Sequence, residues 1–256
     1  MRVWPIFKKE MRLYFTSPIA WVILTIFLLI AGYFFYAIFS FFTLASMQSA
    51  MNPAMAARTL NVTDSVMRPL LSNMSVILLL LMPLVTMRLF AEERRSGTIE
   101  LLLTYPVRDG AVLVGKYLAA LAVYALMLAL TLVYPLMVFY FARVEWGPLG
   151  TGYLGLLLMG ATFLAVGVFA SSLTENQIVA SVVTFGVLLI FWVVGWSADY
   201  VGGPWGRVLS HLSLLEHFDS FAKGVIDTKD VIYYLDFTVL ALFLTLRSLE
   251  ARRWKG

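Results

Sequence analysis

The sequence predicts an all-α integral membrane protein with six membrane-spanning helices, organised as a single domain over residues 1–256. Of its residues, 61% are hydrophobic and only 13% are charged, whereas charged residues make up about a quarter of a soluble domain. The mean hydropathy is +0.86. Six apolar runs reach the roughly 20 residues that a helix needs to cross a hydrocarbon core about 30 Å thick.

The six predicted spans are helices because backbone polar groups inside the hydrocarbon must be paired within their own segment. They cover residues 19–44, 72–89, 111–141, 153–173, 177–196 and 231–249. The first five carry no charge in their central turns. The sixth contains Asp236, which we expect near the outer face. In the fourth, Gly167 and Ser171 stand four residues apart and predict a close approach of a neighbouring helix.

The distribution of Lys and Arg predicts the orientation in the membrane. The predicted cytoplasmic segments hold 13 of these residues and the outer segments hold six. Because cytoplasmic loops carry an excess of basic residues, this split places both termini in the cytoplasm of a multi-pass protein of the plasma (inner) membrane. The modest basic excess reports topology, so no nucleic-acid partner is expected. The first apolar run is too long for a cleaved signal peptide.

Residues 1–17 predict an amphipathic helix that lies in the inner membrane interface. Apolar residues recur at helical spacing on one side, namely Trp4, Phe7, Met11 and Tyr14. Another side carries Arg2, Lys8, Lys9 and Arg12. We expect the apolar side to face lipid and the basic side to face anionic head groups. A charged tail without structure of its own is the alternative.

Two longer connections lie on the predicted outer side. Residues 45–71 are polar and form either short helices or a loop. In residues 197–230, apolar residues recur at helical spacing and predict one or two short amphipathic helices at the outer leaflet. His211 and His217 are six residues apart, which differs from the spacing of two zinc ligands on one helix, so no metal site is expected.

The sequence carries no recognisable catalytic or nucleotide-binding motif. Residues 110–116 match the first seven positions of a P-loop, but the eighth is Tyr117 where Ser or Thr is needed, and the segment runs into a spanning helix. No Ser–His or paired-carboxylate arrangement sits at membrane depth. We therefore expect no enzymatic activity and no cofactor or metal in this chain. Spans without central charges disfavour an autonomous ion carrier and suit an amphipathic or hydrophobic cargo.

The most informative segment is residues 91–107, AEERRSGTIELLLTYPV, a charged patch between two apolar runs. Its first part is the mixed-charge cluster Glu92, Glu93, Arg94 and Arg95. Ser96, Gly97 and Thr98 then break the chain and restart it as a short helix. In that helix Ile99, Leu102 and Leu103 line one side and Glu100 another, and Pro106 ends it. A topogenic loop is the alternative, but a firm helix fixed to two spans can transmit force from a partner.

The run EERRSGTIELLLTYPV, together with the six spans and the basic N-terminal helix, resembles the membrane subunit of a type-2 ABC exporter. Within that family it is similar to the gliding-motility-type permeases, as are SSLTENQIVA at 171–180 and SHLSLLEHFDSFAKGVIDTKDVIYYL at 210–235. The resemblance covers nearly the whole chain. Its strongest motif comprises Glu92, Glu93, Gly97, Thr98, Glu100, Leu101, Leu102 and Pro106.

The resemblance implies a dimeric permease core, built with an identical or related second chain, above separate ABC ATPase subunits that bind ATP and magnesium. Residues 91–107 would be the coupling helix, seated in a groove of the ATPase. The implied contact residues are Glu92, Glu93, Arg94, Arg95, Gly97, Thr98, Ile99, Glu100, Leu102 and Leu103. The cargo stays open. The alternative is a non-transporting module that passes ATPase motion to an extracytoplasmic partner.

Overall fold

The computed structural model describes residues 3–51, 61–98, 108–141 and 145–253. Within these ranges every regular element is helical and no strand occurs. Six helical segments are long and apolar enough to cross a membrane, so the all-α class and the six predicted spans are confirmed. Numbered in chain order, spans 1 to 6 cover Pro18–Met51, Thr63–Arg95, Asp109–Tyr140, Trp146–Leu173, Gln177–Ser197 and Thr228–Ala251.

Four shorter helices position the functional regions. They are α1 (Val3–Thr16), α2 (Arg88–Arg95, the last part of span 2), α3 (Gly203–Leu212) and α4 (Leu214–Ala222). Helix α1 ends at Thr16, and after an elbow at Ser17 span 1 begins at Pro18. The end of the bundle that carries α1 and α2 is the one that the charge count assigns to the cytoplasm, and it is called the inner end.

Spans 2 and 4 form the centre of the bundle. In the most apolar stretch of each of these two spans, 72% of the residues are buried, against 17% in spans 1 and 6. The helix of span 2 runs over Arg68–Thr86 and continues as α2. The helices of the other spans are Asp109–Thr131 and Val133–Phe141 in span 3, Gln177–Val201 in span 5 and Thr228–Arg253 in span 6. A displacement of span 2 therefore acts on the core of the molecule.

Spans 2 and 4 approach each other closely where the small residues Gly167 and Ser171 lie, as the sequence predicts. A Cβ atom on Gly167 would overlap the hydroxyl of Thr86. The Ser171 hydroxyl donates a hydrogen bond to the Met87 carbonyl at 2.9 Å, and it accepts from the backbone N–H of Phe90 at 3.1 Å. Span 4 thus fixes the point at which span 2 breaks and α2 begins.

Helices α3 and α4 lie between spans 5 and 6 at the outer end and confirm the predicted short amphipathic helices. The Arg68 guanidinium at the start of span 2 donates to the Asp219 carboxylate of α4 at 2.7 Å. Partial burial alone would raise the pKa of Asp219, but hydrogen bonds from Lys223 and Arg68 hold this pKa below its ordinary value. The Tyr234 hydroxyl of span 6 donates to the Leu214 carbonyl at 2.7 Å.

We expect Gly167→Ala to lower the stability of the protein by about 1–3 kcal/mol, because the new methyl group overpacks the contact with Thr86. The measurement is the thermal unfolding temperature in detergent. Gly186→Ala in span 5 is the matched control, since a Cβ atom there meets nothing within 4 Å. Equal unfolding temperatures for the two variants would contradict the close approach of spans 2 and 4.

Candidate functional site at the inner end of the bundle

The structure describes the first part of segment 91–107. Span 2 extends beyond its predicted end at residue 89: it breaks at Met87 and restarts as α2, which runs to Arg95. A turn at Ser96 and Gly97 then ends α2, as predicted, with Gly97 in the left-handed conformation at φ 68° that favours glycine. Residues 99–107 lie outside the described residues, and with them the predicted contacts Ile99, Glu100, Leu102 and Leu103.

Helix α2 has two different faces. Glu92 and Arg95 are exposed, as are Gly97 and Thr98 in the turn that follows. Glu93 and Arg94 point into the protein instead: the Glu93 side chain is 13% exposed and Arg94 is 7% exposed. The charged cluster that looks uniform in the sequence is therefore divided into an outward pair and an inward pair.

The inward side of α2 belongs to an ion cluster that joins three elements. The Lys116 ammonium of span 3 lies 2.8 Å from Glu10 Oε1 of α1 and 3.0 Å from Glu93 Oε1 of α2. The ammonium of Lys9 lies 3.1 Å from the same Glu93 oxygen. Lys116 is 2% and Glu10 6% exposed at the side chain, and the Phe90 ring lies 5.3 Å from the Lys116 nitrogen. Lys9, Glu10, Glu93 and Lys116 form the inner ion cluster.

Helix α1 brings Glu10 to this cluster because an inward stripe of α1 packs on span 3. Ile6, one turn before Glu10, lies against Gly115, where a Cβ atom would come within 2.8 Å of the Ile6 side chain. The absence of a side chain at Gly115 lets the two helices approach. Lys116, the next residue of span 3, is then within reach of Glu10.

Tyr14 continues the inward stripe one turn further along α1. Its hydroxyl donates to the Val85 carbonyl of span 2 at 2.9 Å. Burial raises the pKa of Tyr14, although the guanidinium of Arg88, 4.7 Å from the ring, acts in the opposite direction. The prediction that the Tyr14 side of α1 faces lipid is wrong at this residue, because that side chain packs against span 2.

The other residues predicted to contact the membrane interface have mixed environments. Trp4, Lys8, Lys9 and Arg12 are exposed, and Phe7 and Met11 are half-buried. Trp4 and Phe7 stack at 5.3 Å between ring centroids. Lys9 reaches Glu93, so part of the predicted basic side serves the inner ion cluster. The contact of the exposed residues with lipid head groups stays a prediction.

Sequence reasoning missed Glu10 and Lys116 as functional residues. Glu10 is the single acid in a basic segment of 17 residues, and Lys116 is a lysine inside a predicted span. Each of these charges could have been singled out from the sequence, because a charge within or beside a span destabilises the protein unless it has a partner. Residues 110–116, the P-loop match, lie in the helix Asp109–Thr131 rather than in a loop.

A cleft of about 430 Å³ opens between α1 and α2 beside the inner ion cluster. Its polar lining includes Lys9, Arg88, Glu92, Glu93, Ser96 and Thr98. Among the described residues, Glu93 Oε2 and both terminal nitrogens of Arg94 are buried without a hydrogen-bond partner. Buried charged groups in this state are destabilising. Some charged atoms on the inward side of α2 thus have no hydrogen-bond partner among the described residues.

We expect Lys116→Met to destabilise the protein by about 3–5 kcal/mol, because two buried carboxylates lose their shared cation. The triple variant Lys116→Met, Glu10→Gln, Glu93→Gln removes all three charges and should recover most of this loss. Lys229→Ala, which breaks an exposed ion pair with Asp227, is the control and should leave the melting temperature near that of the wild type. Thermal unfolding in detergent measures all three, and a wild-type melting temperature for Lys116→Met would contradict the cluster.

Comparison with known proteins places the chain in a family. The family described as "ABC-2 family transporter protein" matches residues 4–249. A comparison with curated proteins gives no match. The gliding-motility branch is not distinguished by the family match and stays a prediction. Because the match extends from α1 through all six spans, the chain belongs to the ABC-2 transporter family as a multi-pass membrane permease.

Proposed function

We propose that this permease is half of an ABC exporter and that a separate ABC ATPase, the partner that the family implies, docks on residues 91–107. The observation that carries the proposal is the outward face of α2. Glu92 and Arg95 are exposed on a helix that extends span 2 beyond the apolar part of the bundle. ATP and magnesium would be bound by the ATPase, and this chain would bind neither.

The inner ion cluster supports a mechanical role for α2. Through Glu93, α2 is tied to Lys116 of span 3 and to Lys9 of α1, and α1 leads directly into span 1. Force applied to α2 therefore reaches spans 1, 2 and 3 together. Such a rigid connection is what turns a push from a closing ATPase into movement of spans between inward-facing and outward-facing states.

The two faces of α2 divide the roles of the charged residues. We propose that the exposed residues Glu92, Arg95 and Thr98 contact the ATPase, with Gly97 setting the turn before Thr98. Glu93 holds α2 against the bundle, and the unpaired nitrogens of Arg94 offer a place for an acceptor from outside the described residues. We propose the apolar part of the seat at Ile99, Leu102 and Leu103, with Glu100 beside it.

An apolar cavity between spans 1 and 2 supports a hydrophobic or amphipathic cargo. Its volume is about 220 Å³. The lining residues are Ile30, Phe34, Asn73, Val76, Ile77, Leu80 and Leu81. Six of these seven side chains are apolar, and Asn73 supplies the single amide. A second permease chain, identical or related, would complete the translocation path.

The outer helices favour one alternative, in which the spans pass ATPase motion to an extracytoplasmic partner without transport. Helix α4 is tied to span 2 through Asp219 and Arg68, so movement of span 2 would reach the outer surface. Trp205 and Val208 of α3 are exposed there. A bound outer partner combined with ATP hydrolysis that no cargo stimulates would favour this alternative over export.

We expect the double reversal Glu92→Lys, Arg95→Glu to lower the amount of co-purifying ATPase subunit by about ten-fold or more, because both exposed charges at the proposed contact change sign. The complex is purified in mild detergent, and its ATPase content and ATP hydrolysis are measured. Insertion and thermal stability should stay near those of the wild type, since both side chains are exposed.

The matched control is Arg247→Glu, Glu250→Arg, which reverses another exposed pair at the inner end, three residues apart in span 6. It should retain the ATPase at wild-type stoichiometry. Full ATPase content and activity in the Glu92, Arg95 variant would refute docking on α2.

A further inference from the structure

The sequence leads one to expect Asp236 of span 6 near the outer face of the membrane. The contacts of span 6 instead indicate a position near the middle of the membrane. The Thr162 hydroxyl of span 4 lies 3.1 Å from both the Tyr234 carbonyl and the Thr238 hydroxyl, so Asp236 is level with Thr162. Thr162 is 11 residues from the inner end of span 4 at Leu173, or about 16 Å at 1.5 Å per residue. Half of a hydrocarbon core is about 15 Å.

The charges at the inner side of span 6 give a similar depth. The exposed ion pair between Arg247 and Glu250 marks where the apolar part of this span ends on the inner side. Arg247 follows Asp236 by 11 residues, again about 16 Å. Two independent helices thus place the Asp236 carboxylate close to the midplane.

The Asp236 side chain is exposed on the outside of the bundle and makes no hydrogen bond or ion pair with the described part of the chain. Its surroundings form an apolar ridge along span 6, with residues between 39% and 65% exposed at helical spacing. They are Ile232, Leu235, Val239, Leu240, Phe243 and Leu244. Lipid chains cover such a ridge well but offer no hydrogen-bond donor to a carboxylate. A mid-membrane carboxylate is costly without a partner.

A second copy of this chain has no cation to offer at that depth. No Lys, Arg or His occurs in the middle third of any of the six spans in the full sequence. Lys116, which lies nearer the inner end of span 3, is buried against Glu10 and Glu93. A cation that pairs with Asp236 at this depth would therefore come from a different polypeptide.

We propose that the ridge of span 6 binds a transmembrane helix of another polypeptide, which carries a basic side chain at mid-membrane to pair with Asp236. The ridge follows one face of a helix through three turns, from Ile232 to Phe243, and this shape fits a second helix lying alongside. The carboxylate in its middle sets the register and selects a partner with a cation. The proposal does not depend on where the ATPase docks.

The test uses the full-length protein, labelled with a donor fluorophore and reconstituted in phosphatidylcholine vesicles. Its probes are two synthetic Leu-rich spanning helices of about 20 residues, labelled with an acceptor, one with Lys and one with Leu at mid-length. Energy transfer measures their association. We expect the Lys helix to associate about five- to thirty-fold more strongly than the Leu helix. Equal association of both helices with the wild-type protein would overturn the proposal. This comparison needs no substitution in the protein.

Substitutions on the ridge test the register. Asp236→Leu should abolish the preference for the Lys helix, and persistence of that preference would count against the pairing. In the double variant Asp236→Leu, Leu240→Asp, the carboxylate moves one turn towards the inner end. This variant should prefer a helix whose Lys is moved by the same turn. Both positions are exposed, so neither change disturbs the packed core.

Two outcomes would assign the ridge to a different occupant and overturn the proposal. Disulfide cross-linking between two copies of Asp236→Cys in the membrane would show a contact between permease chains. Binding of tetraphenylphosphonium that requires Asp236, without any preference for the Lys helix, would show a site for a cationic cargo.

Discussion

The arrangement at the inner end depends on one buried cation, Lys116, which is shared by Glu10 and Glu93. Each of these charges would be strongly destabilising alone in a dry environment, so none of the three elements that carry them can leave the others at low cost. Helix α1, α2 and span 3 are therefore held as one unit. The close approach at Gly115 and the hydrogen bond from Tyr14 to the Val85 carbonyl are the packing features that allow this pairing.

Under the proposed docking of an ATPase on residues 91–107, this constraint would let the charged segment between two spans act as a lever. A flexible loop would absorb a push from an ATPase, whereas α2 continues span 2, is fixed by Ser171 of span 4 and is paired through Glu93. The contrast with Asp236 is informative. Lys9, Glu10, Glu93 and Lys116 of the inner ion cluster pair with one another, while the mid-membrane carboxylate finds no partner in the described part of the molecule and points away from it.

Much of the fold was predictable because hydropathy and helix length are properties of each segment. The six spans, the elbow at Pro18, the outer helices and the turn at Gly97 all follow from local sequence. Helix ends were less predictable. Span 1 extends to Met51, beyond the predicted end at residue 44. Span 2 resumes after Met87 as α2, and the serine that accepts a hydrogen bond from the α2 backbone lies more than 80 residues away in span 4.

The sequence by itself determined the membrane class, the number of spans and the segment at which a partner is expected, since each depends on composition summed along the chain. Only the tertiary structure decided which charges face each other. It divided Glu92 and Arg95 from Glu93 and Arg94, turned Tyr14 inward, and placed Asp236 at mid-depth on the outside of span 6. The physical reason is that charge pairing depends on which helix faces meet, and those faces come from residues far apart in the sequence.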